Sequence, residues 1–96
     1  MVDLKELDLL ELYLKENDYN YSREDTFDNI NPAREWHQIV VKGAKNNPLW
    51  DAICHYGSYG YKHGLLEVSG TIAGDSPDGL RYNLTAADVI SLLEVK

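Results

Sequence analysis

"WDAICHYGSYGYKHGLLEVSGTI", residues 50–72, places two apolar runs on either side of a segment made of glycine, tyrosine and histidine. Trp50 to Tyr56 reads as a strand, Gly57 to Gly64 as an interruption, and Leu65 to Ile72 as the next strand, with Leu66, Val68 and Ile72 on one face. Upstream, "EWHQIVVKG" (35–43) is the clearest strand, with β-branched Ile39, Val40 and Val41 ending at Gly43. Before it, "YNYSRED" (19–25) alternates Tyr19, Tyr21 and Arg23 against Asn20, Ser22 and Glu24, the period of a half-buried strand. "FDNINPAR" (27–34) reads as a loop: Asp28, Asn29 and Asn31 are turn formers, and Pro32 biases Asn31 away from helix. "AKNNPL" (44–49) is a connection, and "AGDSPDGLRYN" (73–83) a second loop, long and rich in Gly, Asp and Pro.

Helices bracket these strands. Asp3 is placed as an N-cap with Glu6 three residues on, the spacing of a capping box, and the helix runs to about Glu16. At 100° per residue Leu7, Leu10 and Leu14 share one stripe, with Leu9 and Tyr13 beside it, while Leu12 projects toward Lys5 and Glu16. Leu12 and Leu9 are therefore candidates for a partner or dimer contact. The closing helix starts at Thr85 as N-cap, with Asp88 at the third position and Leu84 placed to staple onto Val89. Its buried stripe is Val89, Leu92 and Leu93. Helix, four strands, helix, without a βαβ crossover, predicts an α+β fold: one domain over 1–96, two layers, a mainly antiparallel four-stranded sheet with both helices on one face.

Composition narrows the function classes. The 96 residues are 44% hydrophobic and 26% charged, with a formal charge of −7, and few scattered Lys and Arg argue against direct nucleic-acid binding. A single cysteine excludes an intramolecular disulfide. The N-terminus has no export pattern and no stretch is apolar enough for a membrane, so a cytoplasmic location is expected.

Cys54, His55, His63 and His37 are the soft or borderline metal ligands. Adjacent Cys54 and His55 point to opposite strand faces, leaving only His55 and His63 with Glu67 or Asp51, and no metal or cofactor is expected. A nucleophile would be Cys54 or Ser58 with His55 or His63 as base, but a cysteine centred in an apolar strand is an inert core residue. Carboxylate pairs would come from Asp51, Glu67, Asp75 and Asp78, which lie in separate elements. Gly57, Gly60 and Gly64 match no phosphate-loop order and read as a tight reversal, with Tyr59 and Tyr61 laid over the sheet edge. The competing reading of the same loop is recognition, since Tyr, Ser, Gly and His build adaptable binding surfaces.

The segment "WDAICHYGSYGYKHGLLEVSG", followed by "LTAADVISLL", resembles small phage and prophage proteins of low-GC Gram-positive bacteria. They carry a W-D-x-[IV]-C/N-H-x-G-S-Y-G-x-x-x-G-L-L-E core and a closing L-T-A-x-D-V-I helix. About half the chain is covered, Trp50 to Gly70 and Leu84 to Leu93. The group has no assigned activity, so the resemblance implies a phage-encoded cytoplasmic protein and supplies no catalytic residue. Its shared pattern falls here on Trp50, Asp51, His55, Ser58, Tyr59, Gly60, Gly64 and Glu67.

The expectation is a non-enzymatic interaction module for an unidentified host or phage protein. Its candidate binding residues are Trp50, Asp51, His55, Ser58, Tyr59, Tyr61, His63 and Glu67, with Leu9 and Leu12 as a second surface. Unprotected edge strands and Leu12 are compatible with a homodimer. The alternatives are an acidic DNA mimic using the carboxylates of the first third, and a small enzyme using His55 with Cys54, Ser58 or Glu67.

Overall fold

The computed structural model describes residues 3–31, 34–74 and 77–94. In chain order they form α1 (Lys5–Glu16), β1 (Tyr21–Phe27), β2 (Glu35–Lys42), β3 (Pro48–Ile53), β4 (Leu66–Gly70), β5 (Leu80–Leu84) and α2 (Ala86–Glu94). The strands lie side by side in the order β1-β2-β3-β4-β5, each antiparallel to its neighbours. The α+β class and the two terminal helices are as expected, but the sheet has five strands, not four.

The extra strand is β5, "LRYNL", at the end of the segment read as a loop. No β-branched residue marks it, its central residues are exposed, and Asn83 has a left-handed φ of 60°. A period-2 pattern is absent for a physical reason: β5 is an edge strand and its ladder to β4 shifts register between Leu66 and Val68. Ile72 is also corrected. β4 ends at Gly70 and Ile72 sits in a short 3₁₀ turn, Thr71–Ala73, while still packing against the core. β3 starts earlier and ends earlier than the run from Trp50 to Tyr56, and Phe27 closes β1 instead of opening the loop. Pro32 and Asp75 lie outside the described residues.

β2 alternates strictly: Glu35, His37, Ile39 and Val41 are buried, and Trp36, Gln38, Val40 and Lys42 are not. Leu7, Leu10 and Leu14 of α1, fully buried, join Ile39, Val41, Trp50, Ala52, Cys54, Leu66, Val68, Ala86 and Val89 in one core on the helix side of the sheet. Each leucine so placed contributes roughly 1.5–3 kcal/mol of transfer free energy. Leu9 and Leu12 are exposed on the far side of α1.

The helix starts differ from one another. At α1 the expected capping box is not formed: Leu4 occupies the cap without a side-chain bond, and Asp3 accepts from the Lys5 amide at 2.9 Å. Glu6 instead accepts the Ala86 amide at 2.8 Å, so a side chain of α1 satisfies the first turn of α2. At α2 the box forms as expected, Asp88 N donating to Thr85 Oγ1 at 3.2 Å and Thr85 N to Asp88 Oδ2 at 2.9 Å. In urea unfolding, Leu10→Ala is expected to remove about 2–5 kcal/mol and Thr85→Ala about 1 kcal/mol. Leu12→Ala should stay within about 0.5 kcal/mol of the parent. A Leu12 effect as large as that of Leu10 would refute this assignment of the buried stripe.

Candidate functional site

The loop from Cys54 to Leu65 is held by local bonds. The Ser58 hydroxyl accepts from the His55 amide at 3.1 Å and donates to the His55 carbonyl at 2.8 Å, and the Gly57 amide donates to His55 Nδ1 at 3.3 Å. Gly60 and Gly64 both have positive φ, 84° and 70°. A Cβ on Gly60 would stand 2.8 Å from Asn83 Oδ1, and one on Gly64 2.5 Å from the Asp3 carbonyl oxygen. The glycines therefore let the loop lie directly against β5 and the entry to α1, a requirement of folding that any binding role would share.

The predicted binding residues divide between two faces. Trp50 is buried in the helix-side core, and Tyr61 turns to the same side to donate to Glu35 Oε2 at 2.8 Å. Asp51, His55 and Glu67 lie on the opposite face of the sheet, Tyr59 and His63 are exposed on the loop, and Ser58 is spent on the backbone of His55.

Among the described residues, no helix lies over that opposite face. His55 stacks on Trp36 with ring centroids 4.0 Å apart and planes 6° from parallel. Trp36 Nε1 donates to Gln38 at 3.3 Å, Gln38 donates to Asp51 Oδ2 at 2.8 Å, and the Ser69 hydroxyl donates to Asp51 Oδ1. A shallow cleft beside them is lined by Val40, Pro48 and Leu49 around the Asp51 carboxylate. Glu67 accepts the Tyr59 amide at 3.2 Å, and Tyr59 packs on Tyr82 of β5 at 4.6 Å. Desolvation pushes the His55 pKa below its ordinary value, against the opposing pull of Glu67 and Asp51. The neutral ring with Nδ1 as acceptor is the form this site holds near neutral pH.

A second polar arrangement was not anticipated. His37, only 1% exposed, has Nδ1 2.6 Å from Asp25 Oδ1 and Nε2 3.1 Å from Glu35 Oε1, and Glu35 is itself 2% exposed. The line continues through Asp25 to Arg23, which also reaches Asp8 at 2.8 Å and Glu11 at 3.0 Å. Both ring nitrogens face carboxylate oxygens, so satisfying them requires protons on both nitrogens or a proton kept by one carboxyl. Burial and the Glu35 hydrogen bond push Tyr61 up to about 12. Cys54, whose amide donates to the His37 carbonyl at 2.9 Å, is pushed up to about 11 by burial and then by Glu35. This thiol is held neutral, and it lies on the face opposite His55. The Cys54, His55 and Ser58 groups are thus not assembled as nucleophile and base. Among the described residues, no group of three or more His, Cys, Asp or Glu is disposed to hold a metal ion.

The signal for the buried line was faint. Glu35, His37 and Ile39 share one strand face by parity, which forces two polar groups inward, but only pairing with β1 brings in Asp25.

Partial burial works to raise the Asp25 pKa, but bonds from His37 and Arg23 outweigh it and hold the carboxyl below its ordinary value. A depressed folded-state pKa adds stability above the unfolded value, and that stability is lost as pH falls through the folded one. Thermal midpoints should therefore drop below about pH 4, and Asp25→Asn should flatten part of that slope. Asp28 and Asp88, lowered by backbone hydrogen bonds, retain the rest. An unchanged slope in Asp25→Asn would contradict the assignment. Comparison of the chain with protein-family models, with curated proteins and with solved structures found no match.

Proposed function

We propose that this chain is a non-catalytic protein-protein interaction module of phage origin, acting in the cytoplasm through the helix-free face of its sheet. The observation that carries the reading is the composition of that face. Trp36 is 38% exposed and Leu49 42%, and they flank Val40, Ile53 and the Asp51 carboxylate without a covering layer. Exposed aromatic rings around a satisfied polar centre are what interface hot spots are made of. Tyr56, Tyr59 and Tyr82 extend the aromatic surface along its margin.

The charge of the face selects the partner's chemistry. The half-buried Asp51 carboxylate sits on it, with Glu67 buried behind, and the whole chain carries −7, so the fitting ligand is a segment with Lys or Arg between apolar side chains. The phage origin rests on the resemblance of the Trp50–Gly70 and Leu84–Leu93 segments. The DNA-mimic reading draws less support, because Asp8, Glu11 and Asp25 all pair with Arg23, which offsets part of the negative charge they present.

Selection of a random peptide library on the immobilised protein tests the reading. Enriched peptides should share a basic residue flanked by apolar ones. Trp36→Ala and Asp51→Lys should each weaken their binding by tenfold or more, with thermal midpoints close to the parent. No enrichment, or enrichment indifferent to both substitutions, would refute the open face as the binding surface.

A further inference from the structure

The two edges of the sheet are unlike. At β5 the left-handed Asn83 and the register shift against β4 bend the edge away from regular pairing. At β1 every residue from Tyr21 to Phe27 pairs in turn with Val41 to Glu35 without a shift. The same register continues outward, since Lys42 N donates to Asn20 O at 2.8 Å and Asp28 N to Arg34 O at 3.2 Å. Those bonds assign the even-numbered residues of β1 to the ladder with β2. The amides and carbonyls of Tyr21, Arg23, Asp25 and Phe27 consequently point out of the sheet edge, along a strand with neither proline nor bulge.

We infer that β1 is a self-pairing edge, and that its occupant is β1 of a second copy of this chain, running antiparallel about a two-fold axis at Glu24. "YSREDTF" is complementary to its own reversal around that residue. Tyr21 falls opposite the partner's Phe27, Ser22 opposite the partner's Thr26, and Arg23 opposite the partner's Asp25. Hydrogen-bond parity agrees with this register. The outward-pointing residues meet one another, giving two bonds for each of the four pairs they form, and Glu24 meets the partner's Glu24 at a non-hydrogen-bonded position. Neighbouring registers also carry like charges at the axis, and they lose the pairing of Arg23 with the partner's Asp25. An axis at Arg23 sets arginine against arginine, and an axis at Asp25 sets aspartate against aspartate. Register shifts by one residue put ladder-facing amides against free ones. The product is a continuous ten-stranded sheet whose β1 edges are no longer exposed, joined isologously. It leaves the helix-free face accessible and does not depend on that face's proposed role.

The like charges at the axis are the one unfavourable contact, and they supply the test. Sedimentation equilibrium on the native chain should show mass rising with concentration toward twice 10.9 kDa. Glu24→Gln should tighten the association roughly two- to fivefold, and Trp36→Ala should leave it unchanged.

Register is read by cysteine. Facing positions at a non-hydrogen-bonded pair have Cα atoms about 4.5 Å apart, within reach of a disulfide, and native Cys54 is buried. Glu24→Cys should cross-link on mild oxidation. Ser22→Cys and Thr26→Cys, each roughly 13 Å from its own symmetry mate at the strand rise, should cross-link only when mixed with one another. A monomer at every concentration, a dimer without the Glu24→Cys bond, or equal cross-linking of all three single variants would overturn the inference.

Discussion

Leu7, Leu10 and Leu14 lie fully buried on the inner face of β2, β3 and β4, and the rest of the molecule is arranged around that contact. Two helices of 12 and 9 residues can cover one side of a five-stranded sheet. Strict alternation in β2 then dictates what each side holds: Ile39 and Val41 face the leucines, while Trp36, Gln38 and Val40 face outward. The helix-free face is thus a direct consequence of limited helical cover. Its aromatic and carboxylate groups are stabilised by bonding to one another in place of a second layer.

The buried polar line follows from the same alternation. Along the inner face of β2 the side chains pass from Val41 and Ile39 to His37 and Glu35. Burying these groups unpaired would be costly, and none is left so: Asp25, Tyr61 and, through Asp25, Arg23 complete their bonding. Arg23 in turn gathers Asp8 and Glu11 of α1, tying the helix to the edge strand. A single guanidinium thus meets three carboxylates and offsets part of the acidity of the first third.

The crowded loop between β3 and β4 is a junction more than a pocket. Gly60 and Gly64 permit contact with Asn83 and Asp3, residues from opposite ends of the chain. Ser58 and His55 close the turn on themselves. What the loop contributes to a surface comes from its margin, where Tyr59 rests on Tyr82 and the His55 ring lies flat on Trp36. Trp36 was absent from the predicted site because its neighbour across the strands cannot be known from a local pattern.

Local sequence determined the features whose physics is local. The leucine stripe of α1, the run of β2, the Thr85–Asp88 cap and the opposite facing of Cys54 and His55 each follow from periodicity or from hydrogen-bond reach within a few residues. Tertiary structure decided the rest. β5 exists because β4 offers it a ladder, although "LRYNL" has no strand pattern of its own. Glu6 abandons its own helix start because the Ala86 amide, eighty positions away, is the donor that burial leaves in need of an acceptor. His37 finds Asp25 only through the β1–β2 register. Pairings between distant segments are set by which groups burial would leave unsatisfied, and that condition is met in three dimensions, where no window of sequence records it.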